Sequence, residues 1–230
     1  MRITLGGYQK EMMAWVLVMG LSPFWITASD SGLIIIMKML IRHYGRYEMG
    51  DVLVTCKTIV QSFMLMITMP LGGITGGTQT ILGYNYGAGR PDRIRKAQKH
   101  IIGLGMVFTA VMFVIAMTLS AQFAEIFTND RFFIETSVRA IRISVLAIVP
   151  LAIQYEVVDG FTGMGAAALA ISQSMFRKAV YLAAMLILPA LAGIENVFYA
   201  EPAADVIASA VAVGVYFVFS GRVLGDGKRF

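Results

Sequence analysis

Glu156 and Asp159 stand three apart at the end of an apolar stretch, a spacing that places both carboxylates on one face of an α-helix. Two carboxylates held so close repel when both are ionised, and a bound proton or Na⁺ ion relieves that repulsion. Asp30, flanked by Ser29 and Ser31, lies well inside another apolar stretch. A charge within a membrane helix costs at least about 2.5 kcal/mol on insertion scales, so such groups are rare and mark ion or substrate paths. Asp30, Glu156 and Asp159 are therefore the candidate ion-coupling and substrate residues. The competing reading makes Asp30 a structural carboxylate bonded to a neighbouring helix and the other two interfacial acids, Asp159 more so than Glu156.

Basic groups within apolar stretches invite the same question. Lys57 and Gln61, four apart, can form a polar stripe with Lys38, but such lysines more often extend toward headgroups, and that is the expectation for Lys38 and Lys57. Arg177 and Lys178 read as interfacial anchors at the start of a span. The signatures of soluble enzymes are missing: there is no HExxH, no cysteine pair at zinc spacing, no phosphate loop and no GxSxG. His43 and His100 lie beside loops, and Cys56, the single cysteine, reads as a small buried hydrophobe. No enzyme, no resident metal, no nucleic-acid partner and no cofactor other than a coupling ion is expected.

The elements that position these groups follow from composition. Hydrophobic residues make up 57% of the 230 and charged residues only 14%, with a mean hydropathy of +0.72, whereas a soluble domain carries about 25% charged residues. Crossing about 30 Å of hydrocarbon takes roughly 20 apolar residues in a helix. Six segments meet that test, at about 14–41, 52–82, 100–121, 138–159, 167–191 and 203–222. A backbone in lipid must satisfy its own polar groups, and runs this long and continuous are helices rather than barrel strands. The expected fold class is all-α, a polytopic membrane protein with residues 1–230 forming one six-helix bundle. The polar lead at residues 1–11 lacks the features of a signal peptide, so the first apolar segment is expected to stay. Arg90, Arg93, Arg95, Lys96 and Lys99 fill the loop after the second segment, while Glu125, Asp130, Glu135, Glu195 and Glu201 lie on the opposite side. By the positive-inside rule both termini are expected to be cytoplasmic in a cell membrane. Arg42 and Arg46, set against Glu48 and Asp51, are mixed evidence.

One stretch organises the rest, residues 69–90, MPLGGITGGTQTILGYNYGAGR. Pro70 lacks a donor and crowds the carbonyl four residues back, so a helix arriving from residue 52 should bend or break there. A kink is likewise expected near Pro23 in the first segment. Gly72, Gly73, Gly76 and Gly77 form overlapping small-xxx-small pairs that offer a flat helix-packing face. The amides of Gln79 and Asn85 are costly against lipid, so the stretch is expected to face protein or a wet cavity.

Residues 70–97 resemble the second helix of the C-terminal half of multidrug and toxic compound extrusion (MATE) transporters. The matching positions are Pro70, Gly73, Ile74, Gly77, Gln79, Gly83, Tyr84, Asn85, Tyr86, Gly87 and Ala88, and Thr80 stands where the pattern usually has proline. Weaker echoes include Gly20, Leu21 and Pro23, then Tyr44 and Gly45, the pair Gly163 and Gly165 followed by Arg177, and the helix opening at Pro202 to Asp205. The resemblance implies one lobe of a transporter built from two six-helix bundles around a central cavity. It also implies a function, secondary antiport that exports organic cations against Na⁺ or H⁺ influx. Some members bind the coupling ion through acids in their seventh and tenth helices, where Asp30 and Glu156 or Asp159 stand, so Na⁺ is a candidate ligand of Asp30 and Glu156, with Asp30 the expected main coupling acid and Glu156 and Asp159 secondary. Other members carry that acid in the N-terminal bundle. The expected partners are membrane lipid, organic cations and a second six-helix lobe, either an N-terminal half or another copy. The alternatives are a half-protein or fragment that transports nothing alone, and a lipid-linked oligosaccharide flippase of the wider superfamily, which would favour Lys38 and Lys57 as cavity residues.

Overall fold

A computed structural model describes residues 10–44 and 47–225, with some side chains in these ranges left out. The first helix runs without interruption through Pro23, the site of the expected kink, while the side chains at residues 20–23, 44 and 48, residues 45 and 46 themselves and the polar lead before Lys10 lie outside what is described. Every regular element among the described residues is helical: α1 (Lys10–Tyr44), α2 (Tyr47–Gly76), α3 (Gln79–Gly87), α4 (Pro91–Glu125), α5 (Arg131–Ser144), α6 (Ile148–Gly163), α7 (Ala167–Ala192) and α8 (Ala200–Gly225), with a 3₁₀ segment at Ile194–Tyr199.

Local chemistry sets the ends. Pro91 opens α4, where its missing N–H is no loss. Asp130 caps α5, its side chain accepting from the Phe132 N–H at 2.8 Å. Gly193 ends α7 at φ 90°, a backbone that L side chains rarely adopt.

Among the described residues, five stretches are long and apolar enough to cross a membrane, Phe24–His43, Gly50–Gly87, Pro91–Glu125, Ala167–Ala192 and Ile194–Val218, and α5 with α6 makes a sixth if that bent pair is one span. The sequence expectation of six crossings corresponds to this set with two corrections. The segment expected at 138–159 is two helices, bent by 52°. The break falls just before Pro150, which cannot donate to the Leu146 carbonyl and is tolerated only in the first turn of the new helix α6. The break expected at Pro70 lies farther on: α2 runs through Pro70 to Gly76, and the chain interrupts at Gly77 and Thr78 before α3 begins.

Among the described residues the core has two clusters. Met37, Ile41, Leu53, Val60, Phe63 and Ile67 centre one on α1 and α2, and Leu82, Ile94, Val157, Phe161 and Ala212 centre the other where α3, α4, α6 and α8 meet. Ala204, Ala208 and Ala212, four apart and fully buried, give α8 the small-residue face that lets α6 and α7 approach. The expected glycine face behaves differently. A Cβ placed on Gly72, Gly73 or Gly76 would meet nothing within 4 Å, and Pro70, Gly73 and Gly77 are exposed. Close backbone packing falls instead at Gly83 and Gly163, where α3 and α6 cross: a Cβ on Gly83 would stand 2.8 Å from the Gly163 carbonyl oxygen, and one on Gly163 would stand 2.7 Å from that of Gln79.

Candidate functional site: a carboxylate pair at a helix break

The interruption between α2 and α3 is short. The Gly77 N–H still reaches the Gly73 carbonyl at 3.2 Å, whereas the Thr78 N–H bonds only three residues back, to Thr75 at 3.1 Å. The Thr78 hydroxyl donates to the same Thr75 carbonyl, tightening the turn. Thr75 and Thr78 are both buried, and α6 packs across the break with its two acids facing it.

Asp159 is held by two donors. Thr75 Oγ1 lies 2.5 Å from one carboxylate oxygen and Gln79 Nε2 lies 2.8 Å from the other. Gln79 is the first residue of α3, so the carboxylate also sits at the helix end whose dipole favours a negative charge. Glu156 is fully buried, with Thr78 Oγ1 3.4 Å from Oε2 and no hydrogen-bond partner for Oε1. Neither acid joins an ion pair among the described residues. An unpaired, fully buried carboxylate with an unbonded oxygen is costly unless a proton or a cation completes it. Carboxylate and hydroxyl oxygens, the groups that Glu156, Asp159, Thr75 and Thr78 bring together, suit a proton or a hard cation. No group of three or more His, Cys, Asp or Glu residues able to hold a metal ion occurs among the described residues.

The other predicted site residues lie apart from this pair or play a different part. Asn85 bonds within its own helix, to the Ile81 carbonyl at 2.8 Å. Gln79 joins the site directly through Asp159. Asp30 stands in a separate network: its carboxylate is 2.7 Å from Lys178 Nζ, and its side chain is 52% exposed. Lys178 also donates to the Ile26 carbonyl, one turn before the acid, so it ties α7 to α1 at two points.

That network corrects the expectation for the basic residues. Lys57 does not extend toward headgroups; it is 7% exposed and pairs with Glu201 of α8 at 3.1 Å. Arg177 pairs with the fully buried Asp205 at 2.7 Å, and Lys178 is 7% exposed, so neither is an interfacial anchor. Glu201 and Asp205 were missed as site residues, although their spacing of four at the start of the last apolar segment puts them on one helix face. Thr75 and Thr78 were missed because threonine is ordinary in apolar helices and only the fold turns them toward acids some 80 residues on.

The MatE family model matches residues 31–186. A solved MATE structure in complex with MaL6 superposes with a TM-score of 0.88 at 17% identity, covering 96% of this chain and 50% of that one. The multidrug transporter DinF-BH in complex with R6G gives a TM-score of 0.78 at 25% identity, over 95% and 49%. A transporter of the MOP superfamily from Pyrococcus furiosus, described as having a binding pocket of reversed polarity, gives 0.86 at 17%, over 99% and 50%. A comparison with curated proteins gives no match. The chain thus spans about half the length of the solved structures it resembles. With the family model matching well over half of the residues and the fold agreeing nearly end to end, this helical membrane chain belongs to the MATE family of transporters.

Proposed function

We propose that the chain is one lobe of a secondary antiporter that exports organic cations, with Glu156 and Asp159 binding the coupling ion, Na⁺ or H⁺. The observation that carries this reading is Glu156, fully buried beside a helix break with one carboxylate oxygen unbonded and no cationic partner among the described residues. An ion arriving at the pair neutralises it and loosens the hold of Thr75, Thr78 and Gln79, the groups that shape the turn between α2 and α3. The equilibrium between conformations then shifts by the difference in the ion's affinity for each. Asp30 serves the substrate side: half-exposed, it offers a carboxylate for which Lys178 and an organic cation compete. The lobe works in the cell membrane with both termini cytoplasmic, a placement supported by the basic loop at 87–100.

Ion-driven ethidium efflux tests this in the transporter that contains the chain. Glu156→Gln should reduce it at least tenfold while the protein still reaches the membrane, and efflux at the normal rate would remove Glu156 from coupling.

One observation favours a second, compatible reading, that the lobe alone transports nothing. The chain spans about half of each solved relative, and the face of Gly72, Gly73 and Gly76 is open. An N-terminal six-helix lobe or a second copy would cover that face. A flippase reading loses support at Lys57, which is buried in an ion pair with Glu201.

A further inference from the structure

At the end of the molecule away from the basic loop, a cavity of about 460 Å³ opens between α4, α5 and the segment leading into α8. Glu135, Arg139 and Arg142 line it from one face of α5, at spacings of four and three. Met117 and Leu146 form its apolar wall, and Tyr199 presents a hydroxyl at its edge. Two arginines thus face a single lining carboxylate. Arg139 is held only loosely, 3.7 Å from Glu195 with both side chains exposed, and Arg142 has no hydrogen-bond or ion-pair partner among the described residues.

We propose that this cavity binds an anionic phospholipid, its phosphodiester held by Arg142 and Arg139 and one acyl chain lying against α4. Guanidinium groups match phosphate oxygens in planar, two-pronged geometry. The wall continues from Met117 onto the outward stripe of Val114, Val111 and Val107, which are 59%, 53% and 63% exposed. From Met117 to Val107 is ten residues, about 15 Å along a helix. That is half of a hydrocarbon core of roughly 30 Å, the depth that one leaflet's acyl chain occupies. The cationic rim lies about 40 Å along α4 from Pro91, so it is separate from the basic loop. A small soluble phosphate would use the arginines but leave the apolar wall uncovered, whereas a lipid uses both.

Native mass spectrometry of the purified chain, with phosphatidylglycerol or phosphatidylcholine added, reads the proposal directly. Phosphatidylglycerol should be retained in preference to phosphatidylcholine. A basic residue near anionic lipid contributes enough to change retention about fivefold. Arg142→Gln should therefore weaken it about fivefold and the pair Arg139→Gln with Arg142→Gln roughly twenty-five-fold, with Arg142→Lys keeping most of it. Leu146→Trp should also displace lipid while leaving both charges in place, which separates lipid binding from folding defects in the arginine variants. Arg95→Gln, in the basic loop, should change nothing. Equal retention of phosphatidylcholine, full retention by the double variant or by Leu146→Trp, an equal loss in Arg95→Gln, or displacement by equimolar glycerol 3-phosphate would each overturn the proposal.

Discussion

Asp205 and Asp30 carry the same charge and each meets a cation at 2.7 Å, yet their surroundings give them different weight. Asp205 is fully buried against Arg177, and removing one partner of a buried pair leaves the other charge uncompensated, at about 3–5 kcal/mol. Asp30 is half in solvent, where a pair contributes about 0–1 kcal/mol, and Lys178 keeps its bond to the Ile26 carbonyl without it. Thermal unfolding in detergent should therefore show a large loss for Asp205→Asn and a small one for Asp30→Asn; equal losses would contradict this ranking. The sequence singled out Asp30, Glu156 and Asp159 because acids within apolar spans are conspicuous. It could not show that Lys178, 148 residues away, neutralises the first while no cation reaches the other two, since those pairings depend on how distant helices dock. Lys57 was misread for the same reason, its partner Glu201 being supplied by the last helix.

At the scale of elements, the apolar spans were readable, the break in the second was expected a few residues early, and the one between α5 and α6 was not seen. Hydropathy averaged over a span does not register a turn of a few residues, so α5 and α6 looked like one segment. Pro150 marks the restart only once it is known to stand in a first turn. Glycines show the same limit. The run at 72–77 looked like a packing face by spacing, but the helices touch at Gly83 and Gly163. A methyl at Gly163 would press on the backbone of Gln79, the residue that holds Asp159. Overpacking of this kind costs about 1–3 kcal/mol. Gly163→Ala should lower the unfolding midpoint and reduce efflux together. Gly73→Ala, with nothing within 4 Å, should leave the isolated chain as stable or more so by about 0.5–1 kcal/mol. If the two substitutions behave alike, the assignment of the packing face is wrong.

For the whole molecule, the family resemblance was carried by the block at 83–88 and its basic loop, and the fold agrees with it over nearly the full chain. The half-length relation is what gives the open glycine face a meaning. If a second lobe covers it, Gly73→Cys in a Cys56→Ser background, labelled with a thiol-reactive photo-cross-linker, should cross-link to that lobe in membranes, and Gly73→Ala should impair efflux although it does not destabilise the chain. Absence of any cross-linked species would mean that this face meets lipid instead. The claim on which the account turns is that Glu156 and Asp159 take up the coupling ion. Counting the protons and Na⁺ bound per chain in nanodiscs, as pH and Na⁺ concentration are varied, tests it without needing the second lobe. The wild-type chain should bind one ion more than Glu156→Gln, with Asp30→Asn behaving like wild type. Identical counts for wild type and Glu156→Gln would contradict it.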